Sequence, residues 1–74
     1  MNISTATAGL ALGLLQQRRD ELEREMTTYV SEARRNSDAD FVAWVGRRLR
    51  SCADRHDELS AAIDEIADGL DNAG

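Results

Sequence analysis

A chain of 74 residues carrying nine arginines, fourteen aspartates and glutamates, and a net charge of -5 makes one domain at most. A domain this small buries a modest core and often needs disulfides, metal or association. The single cysteine, Cys52, excludes an intrachain disulfide, and with a single histidine, His56, no Cys/His zinc cluster can form. Proline is absent and Ala, Leu, Arg, Glu and Asp dominate, which favours an all-α fold.

From Ile3 to Leu15 the chain is apolar and small, but no Lys or Arg precedes it and Gln16, Gln17, Arg18 and Arg19 follow. That is the reverse of a signal peptide's polarity, so the segment is read as the start of a helix. No run reaches the roughly 20 apolar residues of a bilayer span. A cytoplasmic protein is expected, with secretion lacking a classical signal peptide as the alternative. Every basic side chain apart from His56 is arginine, a usage that points to a GC-rich bacterial or phage genome.

Ser4 or Thr5 can cap the first helix, which should run to Arg35, ~45 Å at 1.5 Å per residue. Ala8, Leu12, Leu15, Arg19, Leu22, Met26, Tyr29 and Ala33 recur at alternating steps of four and three, which places them on one stripe. Only Arg19 interrupts it. Glu21 and Glu25 are expected on the exposed face, where Asp20 and Arg24 have the spacing of a stabilising pair.

Apolar residues vanish at Arg35-Asn36-Ser37-Asp38 and turn formers gather there. Ser37, followed by Asp40, resembles a capping box, and acids at Asp38 and Asp40 suit a helix N-terminus. The second helix is expected over about residues 39–70. Its stripe is Val42, Val45, Leu49, Cys52, His56, Leu59, Ile63, Ile66 and Leu70, with His56 as the one ionisable member. Folding back at residues 36–38 pairs positions whose numbers sum to about 74 or 75. Met26 then meets Leu49, Leu22 lies near Cys52, Leu12 meets Ile63, and Arg19 faces His56. The two polar exceptions share one layer, as an antiparallel hairpin with a short connection requires.

Within this frame Arg19 and His56 are expected to set the register. The sharper reading is a pH-sensitive switch: Arg19 would lower the histidine's pKa unless Glu23, Glu58 or an acid from a partner joins the layer, and acidification below about pH 6 would charge His56 and loosen the assembly. Cys52, on the stripe, is read as a small core residue rather than a nucleophile. Leu10 and Leu14 stand on another face of the first helix, while Val30, Phe41 and Trp44 flank the seam near the turn. With Gly46, which leaves room for an approaching backbone, they form the candidate partner surface. Gly9 and Gly13 offer similar room. Two helices alone rarely hold a core in water, so the hairpin is expected to dimerise to a four-helix bundle or to bind another helical protein.

Charge is polarised along the same frame. Arg34, Arg35, Arg47, Arg48 and Arg50 gather at the turn end, whereas Asp57, Glu58, Asp64, Glu65, Asp68 and Asp71 follow with no base after Arg55. Arg34, Arg35, Arg47, Arg48 and Arg50, with Asp64, Glu65 and Asp68, are the expected contacts of a head-to-tail pairing. Acids Glu32, Asp38 and Asp40 share the basic end, so a nucleic-acid footprint is weak.

Trp44-Val45-Gly46 resembles the Trp-x-Gly signature of the small secreted helical hairpins of type VII secretion. In that family the motif occupies the turn; the capping signal here places Trp44 inside the second helix. Size and hairpin form are also similar to the small co-chaperones of type III secretion needles. These resemblances imply a secretion-associated hairpin, as substrate or co-chaperone. The residues themselves point to an interaction module: an adaptor, chaperone or inhibitor of a larger protein. No catalytic, cofactor-binding or metal-binding set is expected.

Overall fold

The computed structural model describes residues 4–73. They form two helices and no strand, α1 (Thr5–Arg35) and α2 (Ala39–Ala73), so α2 runs past the expected end near residue 70. Ser4 caps α1: its Oγ accepts from Thr7 N at 3.1 Å and its carbonyl accepts from Ala8 N at 2.9 Å. No acid lies in that first turn, so the serine hydroxyl satisfies an orphan amide without help from charge. At the other end, Arg34 and Arg35 occupy the last turn, where cations complement the negative pole of the helix.

The chain leaves α1 in extended conformation at Asn36 (φ -124°, ψ 116°) and turns without a positive φ. Asn36 Oδ1 accepts from Asp38 N at 3.0 Å, a side-chain mimic of a backbone turn. Asp38 then caps α2: its Oδ2 accepts from Phe41 N at 3.1 Å and its carbonyl from Val42 N at 3.0 Å. The cap is therefore Asp38 rather than Ser37. Asp38 immediately precedes the first helical residue, and a carboxylate there both accepts the amide and meets the positive pole.

The helices pack antiparallel. Tyr29 stacks edge-on against Trp44 with centroids 5.7 Å apart, Arg48 reaches Glu25, and His56 reaches Glu23. Moving down α1 thus means climbing α2, and these pairs straddle the expected register. Every stripe position in α1 is buried or half-buried, and in α2 only Val42, 43% exposed, falls outside. Phe41, half-buried, takes its place on the seam. The reason is geometric: an ideal helix drifts by about 20° per heptad against a 3.5-residue repeat, which carries the end of a long stripe off the contact line.

Among the described residues, only Leu22, Val45, Cys52 and Ile63 are buried. The molecule measures 53 × 15 × 14 Å with a radius of gyration of 16.6 Å, against about 11 Å for a compact domain of this length. Its accessible surface is 5612 Å², whereas a compact monomer of this mass exposes about 4500 Å². The excess, about 1100 Å², follows from the elongated two-helix shape.

Candidate interaction surface

The seam is bordered on its two flanks by different chemistry. On one flank, Tyr29 Oη donates to Glu25 Oε1 at 3.1 Å, and Arg48 donates through Nε to Tyr29 Oη at 3.4 Å and through Nη2 to Glu25 Oε1 at 3.5 Å. The Arg48 guanidinium also lies 5.8 Å from the centre of the Tyr29 ring, and Trp44 bridges Tyr29 to Phe41, 6.0 Å away. Five side chains from both helices thus interlock near the turn. The hydrogen bond with Tyr29, more than the nearby Glu25 charge, raises Arg48 above the ordinary arginine range, so it stays a cation at any pH the fold meets.

This cluster corrects the placement of Glu21 and Glu25 on an exposed face: both are half-buried. Arg18 pairs with Glu21 at 3.2 Å, while no ion pair joins Asp20 to Arg24 among the described residues. The signal was present in the sequence. Glu25 and Arg48 fall within one or two residues of the hairpin register, and extending that register to the flanking charged rows finds them.

On the other flank, His56 Nε2 lies 2.9 Å from Glu23 Oε1. Glu23, not Arg19, is the histidine's partner. Arg19 is half-buried, with its Nε shielded from solvent and without a hydrogen-bond partner. A carboxylate thus joins His56 at the seam, the arrangement that the Arg19–His56 pairing left open. Glu58 pairs with Arg55 at 3.7 Å. On the Glu25–Arg48 flank the buried Cys52 lines a recess of about 160 Å³ with Leu22, Ser51, Glu25 and the ion-paired Arg18, Arg48 and Arg55.

Leu10 and Leu14 are 67% and 59% exposed, and Trp44 is 43% exposed, despite its ring contacts. Val30 is also exposed, beside an open groove of about 400 Å³ lined with Met26 and Arg34, whereas Phe41 is half-buried. Trp44 and Gly46 lie inside α2, not at the connection. A Cβ on Gly9, Gly13 or Gly46 would meet nothing within 4 Å, so nothing within the hairpin uses the room they leave.

Of the residues expected to carry the charge polarity, Arg48 is engaged with Glu25. Among the described residues, Arg34, Arg35, Arg47, Arg50, Asp64, Glu65 and Asp68 make no ion pair. The described residues contain no cluster of His, Cys, Asp and Glu able to hold a metal ion, and no helix long and apolar enough to cross a membrane. No protein family, curated protein or solved structure matches the chain.

Proposed function

We propose that this hairpin is a protein–protein interaction module that works by packing its exposed apolar side chains against another helical surface, its own copy or a larger protein that it adapts, chaperones or inhibits. The observation that carries the reading is the mismatch between core and surface. Four buried apolar or thiol side chains stand against five large hydrophobic ones left exposed: Leu10, Leu14, Val30, Val42 and Trp44. A chain with an accessible surface of 5612 Å² has apolar area that a second helical surface would remove from water, at roughly 25 cal/mol per Å².

The test is sedimentation equilibrium and urea unfolding followed by circular dichroism over a dilution series. Association and an unfolding midpoint that rises with concentration are expected, and Leu10→Ser with Leu14→Ser should weaken both. A fully helical monomer, equally stable at every dilution and indifferent to those substitutions, would contradict the reading.

A further inference from the structure

Beyond the interaction reading and independent of it, we infer that the recess over the buried Leu22 and Cys52 is an anion site that takes a dianionic phosphate group, free or as a monoester. Three of the nine arginines line it: Arg18 from α1, and Arg48 and Arg55 from α2. Glu25 is the one acid in the lining, so three cations stand against one carboxylate and the recess is two charges positive. The chain as a whole is five charges negative, which makes this concavity its electrostatic exception.

The hairpin register gathers these side chains. Arg18 is level with Arg55 across the seam, and Glu25 with Arg48, since both pairs of positions sum to 73. Seven residues separate the two levels, about 10.5 Å at 1.5 Å per residue, and Ser51 falls between them with its hydroxyl. Arginine side chains reach into that interval from either end. Glu21 and Glu58, which pair with Arg18 and Arg55, do not line the recess; they hold those two arginines from outside it.

Donors remain for a ligand. Arg48 donates through Nε to Tyr29 and through Nη2 to Glu25, so its position is fixed while Nη1 has no partner among the described residues. Arg18 uses Nη1 alone, on Glu21. Arg55 Nε stands 3.7 Å from Glu58, beyond hydrogen-bond distance. All three arginines are exposed, so an ion enters without opening the helices.

A phosphate group matches this set in charge, geometry and size. It carries about -1.5 to -2 charges at pH 7 and three acceptor oxygens, and the planar guanidinium fork fits its oxygen pairs better than a point charge does. The recess of about 160 Å³ equals the liquid volume of about five waters. That holds one tetrahedral oxyanion with some hydration, and is smaller than the roughly 300 Å³ at which pockets for larger ligands begin.

The test is an NMR titration of the intact chain at about pH 7.5, where a phosphate monoester is mostly dianionic. Inorganic phosphate and O-phosphoserine are added in separate arms, with chloride holding the ionic strength constant. Saturable shifts are expected at the Ser51, Cys52 and Arg55 amides and at the Nε–Hε groups of Arg18, Arg48 and Arg55. Saturation in both arms assigns the site to the phosphoryl group, and saturation by inorganic phosphate alone assigns it to the free ion. Arg18→Gln and Arg55→Gln should each raise Kd at least about fivefold, and together should abolish saturation. Arg18→Lys with Arg55→Lys, which keeps the charge and loses the fork, should also weaken binding, whereas Arg50→Gln, outside the recess, should not. Circular dichroism confirms the helices of each variant before titration. Shifts that track ionic strength instead of phosphate, that spread equally to Arg34, Arg35 and Arg47, or that survive the double glutamine variant overturn the site. None of these outcomes bears on association, so the packing reading stands or falls separately.

Discussion

The two ends of this hairpin are held by different means. At the turn end, every helix terminus is capped or matched to its dipole, by Asn36 and Asp38 on the backbone and by Arg34, Arg35 and Asp40 in the adjoining turns. Tyr29, Glu25, Arg48 and Trp44 then tie the helices together. At the open end Ser4 caps α1, but no charge there matches a helix dipole and no hydrogen bond or ion pair crosses between the helices among the described residues. The first half of α1 carries no charge from Thr5 to Gln17, and α2 finishes in acids with no base in its last turn, against the helix dipole. What joins the helices there is aliphatic contact alone, around the buried Ile63. The turn end holds itself together with polar and aromatic ties, and on the proposed interaction reading the open end is where stability should depend on a second surface.

The sharpest way to break that contrast is in the core. Ile63→Ala should cost about 3 kcal/mol and Val45→Ala about 2 kcal/mol, measured by urea unfolding. The former should fall hardest at low protein concentration, where no partner covers the open end. Asp38→Ala should cost about 1 kcal/mol through the lost cap, whereas Ser37→Ala should cost far less, a comparison that thermal melts decide. Gly46→Ala should stabilise the chain by about 0.5–1 kcal/mol, since a methyl meets nothing there and alanine favours helix; destabilised association in the same variant would show that a partner backbone uses the space. Smallest of all, Glu23→Gln should cost under about 1 kcal/mol, because the His56 pair is partly solvated. Thermal melts of the variant beside the parent protein check it.

The hairpin itself was legible in the sequence because two strong signals agreed: one apolar stripe per segment and one cluster of turn formers between them. The break at residues 36–38 followed from composition, since Asn36, Ser37 and Asp38 are the only stretch where the stripe lapses. Details failed where competing chemistry lies one or two residues apart. Asp38 displaced Ser37 as the cap by adjacency and charge, and Phe41 displaced Val42 because helical drift accumulates over a long stripe. The polar layer was half legible. Arg19 and His56 are both half-buried, as the stripe required, but the carboxylate that reaches His56 is Glu23, one turn from Arg19 on the flank. The Glu25–Tyr29–Arg48 cluster escaped because a seam pattern says nothing of the rows beside it. Exposure of Leu10, Leu14 and Trp44 was foreseeable from their offset from the stripe.

The dependence of the open end on association is tested most directly by residue-resolved amide hydrogen exchange at high and low protein concentration. Dilution should speed exchange selectively in the first half of α1 and the last third of α2, while amides around Tyr29 and Val45 stay protected. Protection that is uniform along both helices and unchanged by dilution would contradict the account.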